Sequence, residues 1–459
     1  MVLQSRLRER MGRRETAIWI FVFALLSVLA GVPRTALAVP SFASQTGLPC
    51  AQCHVMAFGP QLTEFGRQFK LNGYTFKRQD GALNIPLSLT AIAAYNNVSK
   101  AAPAPSPFSD KENLYLQSAS VYFAGRIADH LGAFVKGTYD GVGKAGFWDS
   151  LDVRYARSFE LGGHALTGGL DVNNSPTVQD LWNSTPIWGF PYVSAALGVG
   201  PLGAPILRGL ISQSVLGASV YSMIDNKVYV ELGFYRGLSD KWLHNVGHAG
   251  ATQTIEGAAP YGRLAYQQHQ GAHYFEVGLV GLSVKQQPYT TTTETDRYTD
   301  YGVDASYQFS VGTPQAIDAH FSWIHEKRSL DASFATHVSD AVSNSTDTLQ
   351  IDASYVMSQT WASSFGLFDI SGTTNHLLFA PIPVFGSGSG SPNSGGYIAK
   401  LEWVPFGKLG SFASPYVNLR MGLQYTGYWR FNGGGTNYDG FGRSASDNNS
   451  LFAYAWLAF

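Results

Sequence analysis

The chain has 459 residues and a formal net charge of −1, so its charge gives no indication of a nucleic-acid partner. Only 14% of its residues are charged, against about 25% in an average globular domain, while aromatic residues make up 14% and there are 50 glycines. No stretch after the first 38 residues has the 18 or more apolar residues of a membrane helix, and this combination favours an outer-membrane β-barrel.

Residues 1–38 have the layout of a secretory signal. Several arginines precede the apolar run AIWIFVFALLSVLAGV, and ALA at 36–38 is a small-residue cleavage site. The apolar run has about 16 residues, which is short for a membrane helix, although a signal anchor is the alternative. We therefore expect a mature chain that begins near Val39, in an oxidising compartment.

The stretch LPCAQCHVM at 48–56 contains both cysteines of the chain, Cys50 and Cys53, followed directly by His54. This is the attachment pattern of a c-type haem. Each thiol adds to one vinyl group of the haem, and the next imidazole then lies under the iron as an axial ligand. The alternatives are a redox-active cysteine pair and half of a zinc site. Because a second cysteine pair and a thioredoxin-like context are both missing from the sequence, we predict one covalent haem c.

The stretch GPQLTEFGRQFKLNGY predicts a short helix, with Pro60 near its first turn and Gly73 past its end. Gly66 would permit a close approach to the haem. Arg67 and Lys70 are either partners for the haem propionates or an ordinary solvated basic face. About 40 residues cannot form a proper core around a haem, so we predict that this segment docks in the mouth of a barrel.

Downstream of residue 80 the sequence alternates apolar and polar residues with a period of two. In DYGVDASYQF, for example, Tyr301 and Val303 share one face, whereas Asp300 and Asp304 share the other. Such segments predict either membrane strands between lipid and lumen or a soluble β-sandwich with one wet face. About sixteen candidate strands fall at 85–96, 113–127, 130–140, 147–158, 164–173, 211–224, 227–237, 258–269, 272–285, 297–309, 315–327, 347–357, 361–371, 394–404, 415–429 and 449–459.

The connections between these strands alternate in length. Tight turns at 128–129, 225–226, 270–271 and 358–360 follow even-numbered strands. Most connections after odd-numbered strands are long, at 97–112, 174–210, 238–257, 328–346, 372–393 and 430–448. This rhythm is typical of an outer-membrane barrel and is not expected of a sandwich. We predict an all-β fold: an antiparallel barrel of about sixteen strands in the outer membrane of a Gram-negative bacterium, with both termini on the periplasmic, short-turn side.

The last strand, LFAYAWLAF, ends on Phe459 and is similar to the assembly signal of bacterial outer-membrane barrels. Its second face, formed by Phe452, Tyr454 and Trp456, is apolar too. A water-filled lumen disfavours such a face, whereas a packed plug does not. The predicted domains are therefore a signal peptide at 1–38, a helical haem segment at 39–80 that plugs the barrel, and the barrel at 81–459.

The chain resembles the single-haem outer-membrane cytochrome–porin fusions, a family that includes the iron-oxidising outer-membrane cytochromes. The resemblance lies in FASQTGLPCAQCH, PQLTEFGRQFKLNGYTF and NLYLQSASVYFAGRI, followed by a porin-like barrel, while VMAFG after His54 departs from the family pattern. It implies that Cys50 and Cys53 attach the haem and that His54 is an axial ligand. It also implies electron transfer from extracellular Fe(II) to a periplasmic c-type cytochrome or copper protein, as an Fe(II):cytochrome c oxidoreductase.

Three other functions stay open at the level of the sequence. The first is the same conduit with another donor or acceptor, and the second is a solute porin gated by its haem segment. The third is a barrel hydrolase, against which stands the lack of a recognisable nucleophile beside His244, His248 and Asp240.

The second axial ligand is not determined by the sequence. Met56 is too close to His54 to reach the opposite haem face, and Met357 and Met421 fall on predicted lipid faces. The weak candidates that remain are His320, His269 and Met223.

Overall fold

The computed structural model describes residues 41–77, 86–248, 254–288, 293–310, 315–411, 414 and 417–459. The predicted signal peptide and its cleavage site lie outside these described residues. Among the described residues, no helix is long and apolar enough to cross a membrane.

Within the described part of the chain, one antiparallel sheet closes on itself, because the first strand pairs with both the second and the last. The strands are β1 (Leu87–Val98), β2 (Glu112–Ala128), β3 (Leu131–Asp140), β4 (Ala145–Leu161), β5 (His164–Asn173), β6 (Val215–Ile224), β7 (Val228–Gly237), β8 (Thr254–Ile255), β9 (Ala259–Gln270), β10 (His273–Gln287), β11 (Asp296–Ser310), β12 (Gln315–Ser329), β13 (Ser343–Met357), β14 (Trp361–Gly372), β15 (Ser394–Trp403), β16 (Asn418–Arg430) and β17 (Ser450–Ala458). The two-residue β8 pairs with β10, as β9 does, so the barrel has sixteen strand positions. The prediction of a closed antiparallel barrel of about sixteen strands is confirmed.

The two faces of the barrel follow the period-two pattern. On β11, Tyr301 is 50% exposed on the outside, whereas Asp300 and Asp304 are buried inside. Met357 and Met421 also lie on the exposed outer face, as predicted. An apolar outside with a polar inside is the arrangement of an outer-membrane barrel, because lipid contacts only the outer face.

Five short helices accompany the barrel in the described residues. They are α1 (Ser41–Thr46), α2 (Cys50–Cys53), α3 (Glu64–Leu71), α4 (Asp240–Asn245) and α5 (Asp331–Ala335). The prediction that a helix begins near Pro60 is wrong by one turn: Thr63 is the N-cap of α3, and its hydroxyl accepts from the Gly66 amide at 3.2 Å. The backbone before it is extended, since Leu62 forms a β-bridge with His54. Gly73 follows α3 with a positive φ of 65°, as a residue past a helix end should.

Short turns and long loops lie at opposite ends of the barrel. The first strand begins at the short-turn end and the last strand finishes there. At this end the Leu89 amide donates to the Phe459 carbonyl at 2.6 Å. Two connections break the predicted rhythm. The 141–144 turn is short at the long-loop end, and the 404–417 connection is long at the short-turn end.

The longest loop, residues 174–214, folds inward and crosses the interior. Its contacts with the wall come from strands on several sides: Asp180 with Arg263 at 3.1 Å, Ser184 with Asp304 at 2.6 Å, the Ile206 amide with Glu326 at 2.8 Å, and the Val199 carbonyl with Tyr428 at 3.2 Å. Because these partners belong to β9, β11, β12 and β16, the loop is fixed across the lumen rather than projecting away from it.

Candidate functional site

The N-terminal segment, residues 41–77, lies against inward-facing side chains of the barrel. Its wall contacts include Tyr74 Oη to Asp152 Oδ2 at 2.7 Å, Arg67 Nη1 to Gln308 Oε1 at 2.9 Å, Tyr221 Oη to the Leu71 carbonyl at 2.8 Å, and Asn418 Nδ2 to the Ala57 carbonyl at 2.7 Å. These partners come from β4, β11, β6 and β16, so the segment is held from several directions.

The helix α2 consists of the two cysteines and the residues between them. Both thiols are free, and the spacing of three residues places them on one side of a single turn. Burial raises the pKa of the Cys53 thiol to about 12, and it also raises the pKa of Cys50, against a smaller lowering by Asn418.

Backbone contacts fix α2 at the short-turn end of the barrel. The Ala51 amide donates to the Gly407 carbonyl at 3.0 Å, and Gln359 Nε2 donates to the Ala51 carbonyl at 3.1 Å. Helix α3 packs closely on α2 because Gly66 has no side chain: a Cβ there would lie 2.3 Å from the Cys53 carbonyl oxygen. The close approach that Gly66 permits in the structure is therefore between α2 and α3.

His54 follows α2 and is fixed on both sides by backbone pairing, since the Val55 amide donates to the Gln61 carbonyl at 3.0 Å and the Thr63 amide to the Cys53 carbonyl at 2.9 Å. Its Nδ1 atom is buried and has no hydrogen-bond partner within the described residues. Burial, followed by repulsion from the nearby Arg420, lowers the pKa of His54 to about 4. Neutral imidazole is the form that coordinates a metal.

These residues fit a c-type haem. Two free thiols one helical turn apart and a neutral imidazole with an unpartnered buried nitrogen form the donor set that such a group needs. In the described ranges, no group of three or more His, Cys, Asp or Glu side chains is arranged to hold a metal ion.

The structure places the three distal-ligand candidates on three different strands. His320 faces inward from β12, with Nδ1 3.0 Å from Asp352 Oδ2 and Nε2 3.6 Å from Asp318 Oδ2. His269, near the end of β9, is half exposed and pairs with Glu64 of α3 at 3.1 Å.

Met223 is buried on the inner side of β6, in a cluster with Leu71, Tyr221 and Tyr229. Asp318 lies between His320 and the His54 region: its Oδ2 accepts a hydrogen bond from Gln61 Nε2 at 2.7 Å and lies 3.6 Å from His320 Nε2.

The two cations of α3 are buried rather than solvated. Arg67 donates to the Leu62 carbonyl at 2.7 Å and lies 3.6 Å from the centre of the Tyr274 ring. Lys70 Nζ donates to the carbonyls of Val178 at 2.8 Å and Asp180 at 2.5 Å. The solvated-face interpretation is therefore wrong, and both cations join the segment to the barrel and its inward loop.

Two features of this region escape sequence reasoning. The first is the inward path of loop 174–214, in which Asn183 Nδ2 donates to the Pro60 carbonyl at 2.6 Å. The second is Gln61, whose amide reaches Asp318 across 257 residues of sequence. Trp456, on the apolar inner face of β17 that the sequence singled out, contacts Phe58 of the N-terminal segment, with ring centroids 4.8 Å apart and planes tilted by 48°.

No family model matches the chain, and no curated protein matches it. Solved structures that it resembles include OmpF of Salmonella typhi in complex with daunomycin (14% identity, TM-score 0.47, covering 81% of this chain and 97% of that one). Others are the outer-membrane channel DcaP of Acinetobacter baumannii (12%, 0.45, 84% and 99%) and an anion-selective porin from Comamonas acidovorans (13%, 0.44, 81% and 98%). The strand pairing described above, rather than these likenesses, defines the barrel.

Proposed function

We propose that this chain is an outer-membrane cytochrome that carries one covalent haem c and moves electrons across the outer membrane. The observation that carries this proposal is the position of Cys50, Cys53 and His54 on a segment held against the inner wall of a closed barrel. The haem, when bound, supplies a one-electron Fe(III)/Fe(II) couple.

The residues of the chain have separate roles in this proposal. Cys50 and Cys53 would anchor the group, and His54 would bind its iron. Asn418 and Arg420 of β16 fix the turn after His54, through bonds of 2.7 Å to the carbonyls of Ala57 and Phe58. A ligand set that is held rigidly changes little between oxidation states, which favours fast electron transfer.

The proposed donor is extracellular Fe(II), and the proposed acceptor is a periplasmic c-type cytochrome or copper protein. Each Fe(II) gives up one electron and becomes Fe(III), and the same electron leaves on the periplasmic side. Oxidation outside the cell keeps insoluble Fe(III) out of the periplasm. This choice of donor rests on the sequence resemblance, and a conduit with another donor or acceptor has the same geometry.

A solute porin gated by its haem segment is the competing function. The packed interior supports electron transfer over solute flow, because loop 174–214 and the N-terminal segment both cross the lumen and bond to its walls. Passage of a solute would require these buried contacts to break.

The test is rapid mixing of the oxidised, haem-loaded protein with Fe(II), following the haem α-band. We expect reduction of the wild type and loss of reduction in His54→Ala, with the β-rich circular dichroism unchanged. His130→Ala, at an exposed turn histidine, is the matched control and should behave as wild type. A wild-type protein that contains no haem, or that stays oxidised in excess Fe(II) while conducting ions in planar bilayers, contradicts the proposal.

A further inference from the structure

A cavity of about 50 Å3 lies between the inward loop and the barrel wall. The loop lines it with residues that include Phe190, Tyr192 and Arg208, and the wall contributes His320, Gln350 and Asp352 from β12 and β13. We call it the loop cavity. At ~10–15 Å3 for each water, it has room for about four waters or one small molecule.

Two hydrogen-bond donors in the lining have no partner in the described part of the chain. Tyr192 Oη and Arg208 Nε are both shielded from solvent and both lack a hydrogen bond. Arg208 is held in place nevertheless, because its Nη2 donates to Gln350 Oε1 at 2.9 Å. Buried donors are normally paired, so two unpaired ones at one cavity indicate a ligand that accepts hydrogen bonds.

The charged groups around the cavity are of both signs. Three cations and three carboxylates line it or face Tyr192: Arg208, Lys400, Arg420, Asp318, Asp352 and Glu402. Asp352 is already hydrogen-bonded to His320 at 3.0 Å. Behind the cavity, Asp180 and Asp304 are paired with Arg263.

A cation is the poorer occupant. The Arg208 N–H has no lone pair with which to coordinate a metal ion, and a guanidinium repels positive charge. The unpartnered Nε–H of Arg208 and the O–H of Tyr192 can each donate to an oxygen of a planar carboxylate.

We infer that the loop cavity binds a small planar oxyanion the size of formate, acetate or bicarbonate, with Arg208 and Tyr192 as its donors. The cavity lining contains none of Cys50, Cys53 and His54, and this inference does not depend on the proposed electron transfer. Bound anion completes the hydrogen bonding of the loop where it faces β12 and β13.

The probe is acetate, observed by saturation-transfer NMR from the full chain in detergent to the acetate methyl protons. We expect saturable transfer at millimolar acetate, and much weaker transfer to acetamide, which has the same shape without the charge. Arg208→Gln should raise the acetate Kd at least tenfold, and Tyr192→Phe, which keeps the ring packing, several-fold. Arg236→Gln, at an exposed arginine on β7, should leave the Kd unchanged.

Heat-modifiable migration on gels verifies that each variant still forms the barrel. The inference is overturned if the folded wild type shows no transfer to acetate, or if acetate and acetamide bind alike. It is equally overturned if folded Arg208→Gln and Tyr192→Phe both bind acetate as well as wild type does.

Discussion

Single residues of the N-terminal segment decide how closely its two helices approach. At Gly66 there is no room for a Cβ, because the Cys53 carbonyl oxygen would be 2.3 Å away. That carbonyl also accepts the Thr63 amide at 2.9 Å, so it cannot move without breaking the pairing beside His54. The position of the cysteine pair therefore depends on a residue that belongs to the neighbouring helix.

Gly66→Ala should push α3 away from α2, at a cost of about 1–3 kcal/mol for overpacking. We expect a lower thermal unfolding midpoint and a smaller fraction of chains with covalent haem, measured by calorimetry and intact-protein mass spectrometry. The matched control is Gly137→Ala in β3, where a Cβ would meet only an ordinary contact at 3.9 Å. Equal unfolding midpoints and equal haem fractions in the two variants would show that the contact between α2 and α3 affects neither stability nor haem attachment.

Lys70 makes the stability of the docked N-terminal segment depend on pH. Burial, followed by repulsion from Arg154, lowers the pKa of Lys70 to about 7 from an ordinary value of 10.5. Between pH 7 and 10.5 the undocked segment then binds more protons than the docked one, so docking should become more stable as pH rises through this window. The slope is at most about 1.4 kcal/mol per pH unit, and below pH 7 the effect is constant.

The measurement is protection of the segment from protease between pH 6 and 10. We expect protection to increase with pH in the wild type and to lose this increase in Lys70→Met. Lys77→Met changes an exposed lysine of the same segment and should retain it. Protection that falls with rising pH in wild type would refute the proposal that protonation of Lys70 opposes docking.

At the scale of elements, the period-two pattern identifies the strands and the orientation of their faces. The bounds of the helix and the path of the longest loop differ from those that the sequence predicts. The helix of the segment begins at Glu64 rather than near Pro60. The backbone before Thr63 is extended instead, because Leu62 forms a β-bridge with His54. Loop 174–214 has the length of an external loop but folds inward. Its residues Thr177, Gln179 and Asp180 are fully buried, so an epitope tag there would disturb the barrel rather than report its orientation.

Orientation is better tested at two exposed glycines in opposite connections. A tag inserted at Gly257, in a long loop with open space around it, should be labelled on intact cells. A tag at Gly271, in the short β9–β10 turn, should be labelled only after the outer membrane is permeabilised. The reverse pattern would place the short turns, and with them both ends of the barrel, outside the cell.

At the scale of the whole molecule, the interior is packed by chain rather than left open. Buried ion pairs, such as Arg154 with Asp152 at 2.8 Å and Arg420 with Glu402 at 2.7 Å, lie on the inner side of the wall. The N-terminal segment bonds to Asp152 through Tyr74, and loop 174–214 bonds to Arg154 through the Gln179 carbonyl at 2.5 Å. The two segments therefore share one network with the wall.

We expect wild-type protein in planar bilayers to conduct far less than an open porin. Replacing residues 186–207 by a short glycine–serine linker should raise the conductance at least several-fold, because it removes the part of the loop that spans toward β12, β13 and β16. The Gly257 insertion, which alters an exposed loop, is the control and should stay closed. High conductance already in wild type would argue for the porin.

The sequence by itself determined the barrel, because lipid on one side and a lumen on the other impose a period of two on each strand. It also singled out Cys50, Cys53 and His54, since covalent attachment requires a fixed local spacing. Only the tertiary structure decided which distant residues meet: Gln61 contacts Asp318, Lys70 contacts Val178 of loop 174–214, and Arg208 contacts Gln350. These contacts join residues more than one hundred positions apart, and burial and pairing across the lumen leave no periodic signal in the sequence.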